Sequence, residues 1–150
     1  MRRFDKLADL QALVGQQMGV SDWIAVEQQR IDLFADATGD HQWIHVDVER
    51  AKAGPFGAPV AHGFLTLSLL PEMAASAFEM SDVRMGVNYG LNRVRFPAPV
   101  PADSRLRGHF KLLSYEPLDG GAQLVLEVTM EREGSSKPVC VAESVTRRFV

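Results

Sequence analysis

One cysteine in 150 residues excludes an intrachain disulfide. Cys140 lies inside the apolar run from Val139 to Ala142, so a buried thiol is expected there rather than a reactive one. A long hydrophobic run free of charge is also missing. The amino-terminal stretch MRRFDKLADLQALVG is broken by Asp5 and Asp9, so neither a signal peptide nor a membrane span is expected, and the cytoplasm is the expected location. Positive charge is in deficit. Sixteen Lys and Arg against nineteen Asp and Glu leave a formal net charge of -3. The cations are scattered, and nothing resembles the basic stripe of a nucleic-acid-binding domain. There is no GxSxG elbow for a serine hydrolase and no repeat or low-complexity tract. His41, His45, His62 and Asp47 match no zinc spacing, and His109 falls in a predicted strand, so no metal site is expected.

What is present is an ordinary globular balance, 46% hydrophobic and 23% charged, in a length that suits one domain over residues 1–150. The first half is helix-rich and the second strand-rich. Leu7, Leu10 and Val14 recur at helical spacing over 6–14, Gly15 and Gly19 interrupt, and residues 23–26 form a short strand-like run. Ile31, Phe34 and Ala35 share a face of a helix over 27–37 that Gly39 can terminate, and Asp47 is a suitable N-cap for a brief helix through Ala53. The segment 63–78 is apolar nearly all the way round and is expected to be a buried helix, kinked or cut short at Pro71. Beyond Ser81 the period changes to two. Val87, Tyr89 and Leu91 form one run, Val94 and Phe96 the next, and further runs cover 106–113, 124–130 and 139–149, separated by turn signals at LDGG and EGSS. A buried helix followed by an antiparallel meander is an α+β arrangement in which the sheet wraps the helix.

Chemistry concentrates between Phe34 and His62. Asp40 stands five residues before His45, and His62-Gly63 follows downstream, so two proton-transfer groups precede a glycine able to open a helix with free N–H groups. Each residue also has a plainer role open to it. Asp40 beside Gly39 could be a turn former, and the ring of His62 could cap backbone groups, the role favoured for it over a direct catalytic one. Trp23 and Trp43 suit core or pocket walls. Ser68 and Thr66 could satisfy helix carbonyls. Arg93 and Arg95 alternate on a strand and so share a face, either a solvated one or one that meets phosphates.

The runs TGDHQWIHVDVERA and PVAHGFLTLSLL resemble the MaoC-like dehydratases, R-specific enoyl-CoA hydratases with a hotdog fold. Gly39-Asp40, Ile44-His45 and Ala51 fill the first part of that family's signature, His62-Gly63 the second, and Ser68 the helix serine six residues further on. The stretch NYGLNRVRFPAPVPADSRLR resembles the family's next strand and its Pro-containing turn. Asn and Pro usually separate the Asp from the His, whereas this chain has Gln42 and Trp43, a form similar to the branch related to nodulation protein N. Gln42 keeps the amide chemistry, and Trp43 bears on the shape of the acyl pocket.

The resemblance implies hydration of a trans-2-enoyl thioester, carried by coenzyme A or acyl-carrier protein, to the (R)-3-hydroxyacyl product. Asp40 and His45 would share the acid-base work, the Gly63 N–H would receive the thioester oxygen, and Ser68, Gln42 and His62 would support the site. Arg93 and Arg95 would meet the phosphates of coenzyme A, which enters only as part of the substrate, so no separate cofactor is expected. A homodimer is implied, and an open sheet edge would favour one as well. Two rivals are a thioesterase on the same scaffold and a non-catalytic module that binds acyl thioesters.

Overall fold

A computed structural model describes residues 1–150. Strand β1 (Arg2–Phe4) leads through a 3-10 helix (Leu7–Leu13) to strands β2 (Gln17–Val20) and β3 (Ile24–Val26). Five helices follow: α1 (Gln28–Thr38), α2 (Trp43–Val46), α3 (Val48–Lys52), α4 (Gly63–Ser68) and α5 (Leu70–Ala77). Strands β4 (Phe78–Met80), β5 (Met85–Arg95), β6 (Ser104–Leu118), β7 (Gly121–Arg132) and β8 (Cys140–Phe149) complete the chain. The main sheet is antiparallel, in the order β2-β6-β7-β8-β5, and β3 also pairs with β6. β1 and β4 form a small parallel pair beside it.

The period-two runs bury as their alternation requires. On β7, Ala122, Leu124, Leu126, Val128 and Met130 all face the core, while the residues between them are half-exposed. Where helix α5 runs into β4 over this face, Phe78 of β4 meets Phe110 of β6 edge-on, 5.4 Å between ring centroids. Two glycines allow the helix to lie this close. A Cβ on Gly108 would sit 3.1 Å from Met73 Sδ, and one on Gly19 would sit 2.5 Å from the Ala77 carbonyl oxygen. Gly19 therefore lies within β2, under the end of α5, and does not interrupt structure as its residue type suggested.

Other expectations shift for identifiable reasons. The 6–14 segment is a 3-10 helix, which the Leu7/Leu10 spacing of three fits as well as an α-helix, and both leucines are buried. The 63–78 helix is divided at Leu69 into α4 and α5. Pro71 stands in the first turn of α5, where its missing N–H is not needed. This helix is buried on one side only: Leu65, Thr66, Leu69, Met73 and Ala77 point inward, whereas Phe64 is 71% exposed. The run at 87–91 and Val94 of the next belong to one strand, β5, irregular at Asn88/Gly90 and Leu91/Arg93, with Phe96 just beyond its end. β5 is the free edge of the sheet, and its apolar side chains Val87, Tyr89 and Leu91 are exposed.

Candidate active site

Gly39 ends α1 in a left-handed conformation, φ 81°, with its N–H donating to the Ala35 carbonyl at 2.8 Å. A side chain there would cost about 1–2 kcal/mol, and the turn delivers Asp40 to the start of the next segment. The Asp40 carboxylate accepts a bond from the Gln42 N–H at 3.3 Å and is otherwise open to solvent. Gln42 precedes α2, which carries His45, and the Gln28 side chain anchors α2 to the start of α1 by donating to the His45 carbonyl at 2.8 Å. Asp47 caps α3 as expected, accepting from the Arg50 N–H at 3.1 Å.

His45 is buried, and its hydrogen bonding decides what it can do. Nδ1 lies 2.6 Å from the Val60 carbonyl oxygen, which can only accept, so Nδ1 carries the proton and Nε2 presents a lone pair. Val60 is itself held, donating its N–H to Ile44 at 3.0 Å and bridging to Pro101. Burial pushes the His45 pKa below its ordinary value. The Val60 bond opposes this, His62 adds to the lowering, and Asp40 opposes it. The result is a neutral imidazole with an oriented basic nitrogen.

His62 stands immediately before α4 but caps no helix N–H. Its Nε2–H donates instead to the Asp40 carbonyl at 2.9 Å, and its ring stacks on His45 at 3.8 Å between centroids, with Phe34 tilted against the other side at 4.9 Å. The ring holds both members of the Asp40/His45 pair in place, and its Nδ1 is buried without a partner. One carboxylate oxygen of Asp40 and one ring nitrogen from each of His45 and His62 lie within 4.8 Å of one another. A water molecule can bridge such a group. Two imidazoles and a carboxylate are also donor types that a divalent transition metal accepts, a grouping the sequence spacing did not reveal.

His45 lines a cleft of about 360 Å³ that includes Gly63 and Thr66 of α4 and, at its rim, the half-exposed rings of Phe56 and Phe96. Gly63 is the first residue of its helix, so its N–H has no intrahelical acceptor, and the Phe96 ring lies where a Gly63 Cβ would come within 3.1 Å. Phe56, Phe96, Gln28 and Val60 were not anticipated. An aromatic beside a Pro-rich turn was the only trace of the first two in the sequence.

Several expected site residues lie elsewhere. The Ser68 hydroxyl donates to Leu65 in its own helix at 2.7 Å, and the cleft beside His45 is lined by Thr66 in its place. Trp43 packs against Gly54 and under the Arg50 guanidinium, 4.3 Å from its ring centroid, and does not line the cleft. The Gln42 side chain is exposed, and its contribution to the site is its backbone N–H. Arg93 and Arg95 do share a face, but the groove they line also holds Glu127 and Glu143, which offset their charge. His41 pairs with Asp36 in solvent, and His109 pairs with Glu131 on the outer face of the sheet.

Comparison with known proteins decides the family. The MaoC like domain matches residues 9–133. The chain belongs to the MaoC-like dehydratase family. It is 54% identical over 148 residues to 3-hydroxyacyl-thioester dehydratase Z of Mycobacterium tuberculosis, covering 98% of both chains. It is 51% identical to nodulation protein N of Rhizobium leguminosarum bv. viciae, over 93% of this chain and 89% of that one. An unliganded R-hydratase of Pseudomonas aeruginosa superposes with a TM-score of 0.74 at 22% identity, over 96% of this chain and 85% of the other. The fold is thus the hotdog, and the MaoC-like chain is a hydro-lyase of the dehydratase/hydratase type.

Proposed function

We propose that this hydro-lyase interconverts trans-2-enoyl and (R)-3-hydroxyacyl thioesters by acid-base catalysis at Asp40 and His45. The observation that carries the reading is the unprotonated Nε2 of a neutral His45, oriented by Val60 and set beside the Asp40 carboxylate. In the hydration direction the pair holds one water and removes a proton from it as the oxygen bonds to the β-carbon. The π electrons move onto the thioester oxygen, which develops enolate charge that the Gly63 N–H can receive. The pair then returns a proton to the α-carbon, so that one water is added in all and both groups recover their starting states. No separate cofactor takes part. Coenzyme A or acyl-carrier protein is the carrier, and Arg93 and Arg95 are the residues offered to its phosphates.

The exposed edge of β5 supports a homodimer, because an eleven-residue strand with open ladder groups and apolar side chains is suited to pairing with a second copy. Sedimentation should show a dimer at micromolar concentration, and a stable monomer would remove that part of the reading. Incubation with crotonyl-CoA tests the reaction. Loss of the conjugated enoyl absorbance without release of free thiol is expected, whereas thiol release would point to thioester hydrolysis.

A further inference from the structure

A cavity of about 630 Å³ lies away from His45, between α5 and the inner face of the sheet, and its size is that of a small-molecule site. Its walls are apolar along Leu70, Ala74 and Phe78 on one side and Phe110, Leu126 and Val128 on the other. The end nearest β5 is different. There Asn88, Ser144, Thr146 and Arg148 enter the same space, with Asn88 opposite Thr146 and Gly86 opposite Arg148 in the ladder. Gly86 makes room for the guanidinium, since a Cβ at that position would overlap Arg148 Nη1.

Two of these residues are left unsatisfied by the chain. Nε of Arg148 and Oγ1 of Thr146 are buried with no hydrogen-bond partner. The one carboxylate at the cavity, Glu79, is bound to Arg3 at 3.2 Å. Burial lowers the Arg148 pKa, with no acidic neighbour offsetting it. A partly desolvated cation without a counter-charge is costly to keep, and this one stands at the β5 end of an apolar recess.

We propose that the recess binds an aliphatic chain ending in a carboxylate, with the carboxylate received by Arg148 and Thr146 and the methylenes lying between α5 and the sheet. This rests on the hydratase reading only in making that chain the acyl part of the substrate, an ω-carboxyl acyl thioester. If two β5 strands pair antiparallel about Gly90, the Gly86 end of one copy, with its recess, lies at the Phe96 end of the other, with its cleft.

Calorimetric titration of the full-length protein with octanoate and with octanol tests the site without reference to catalysis. Octanoate should bind the wild type more tightly than octanol. Arg148→Met should weaken octanoate by roughly 10- to 100-fold and leave octanol nearly unchanged, as expected for losing hydrogen bonds to a charged group. Thr146→Val, which keeps the side-chain shape, should weaken octanoate by several-fold and carries the test if Arg148→Met does not fold. Equal binding of the two ligands by the wild type, undiminished octanoate binding by the variants, or exclusion of octanoate by a counter-charge from a second copy would each overturn the proposal. In a second arm, an ω-carboxyl trans-2-enoyl-CoA should show a lower KM than the unsubstituted thioester of equal length, and Arg148→Met should abolish the difference. Equal KM values would overturn the assignment to substrate while calorimetry still reported a carboxylate site. Hydration of neither thioester would sink the hydratase reading and leave the calorimetric result standing.

Discussion

Two cavities of this chain differ in how their principal polar groups are held, although Nδ1 of His62 beside the first is also buried without a partner. Beside His45 the protein itself makes the orienting bonds: Val60 fixes the proton on Nδ1, Gln28 holds the backbone of α2, and His62 ties down Asp40. In the recess under α5, Nε of Arg148 and the hydroxyl of Thr146 are buried and left without partners. The first arrangement suits the proposed proton transfer, because the protein has already selected the tautomer and position of the His45 ring. The second leaves its hydrogen-bonding capacity for something that arrives. Substitutions in the two cavities should therefore fail differently, the first in turnover and the second in affinity for an acidic chain end.

The largest effects are expected at His45 in the first cavity and at Asp40 beside it. Asp40→Asn and His45→Gln should each lower the hydration rate by roughly 10²–10⁴ with modest change in KM, measured on variants that retain the wild-type circular dichroism. Packing should respond next. Gly19→Ala places a methyl against the Ala77 carbonyl, and urea unfolding should show a loss of about 1–3 kcal/mol. Gly39→Ala, strained only by its positive φ, should cost about 1–2 kcal/mol by the same measurement.

The pH dependence follows from the lowered pKa of His45. Folding disfavours its cation, so the unfolded state takes up the proton first as the pH falls below about 6.5. This contribution to stability is complete above that value and is lost progressively down to the folded pKa. Thermal melts should show the loss in that window, and His45→Gln should flatten it. For the same reason the acidic limb of kcat/KM should lie below about pH 6.5. Ser68→Ala should have the smallest effect on turnover, since its hydroxyl serves the Leu65 carbonyl. Dialysis against a chelator should leave the rate unchanged, and a loss restored by a divalent ion would assign the Asp40/His45/His62 cluster to a metal. Cys140, with its thiol pushed up to about 11 by burial, should resist thiol reagents until the protein unfolds.

The regular strands and the Asp40-to-His45 segment were legible in the sequence because their signals are local. Alternation marks β7, the Gly-Asp pair marks the end of α1, and Pro71 marks the break between α4 and α5. The rest depends on contacts between distant segments. Gly19 is a strand residue only because α5 lies over it, and the lone pair of His45 is exposed only because Val60, fifteen residues on, claims the other nitrogen. The alternating apolar residues of β5 marked a strand but not its place in the sheet, and the edge position leaves them exposed. Ser68 and Trp43 show the same limit from the other side, because neither the motif match at Ser68 nor the departure from it at Trp43 brought a side chain to the cleft.

A double-mutant cycle at Asp40 and His45 addresses the central claim most directly, with the initial rate of crotonyl-CoA hydration as the readout. Two groups that hold one water act as a unit, so the doubly substituted enzyme should be little slower than the slower single variant. Fully additive losses would contradict shared action on one water, and near wild-type rates in the folded variants would contradict the assignment of the site.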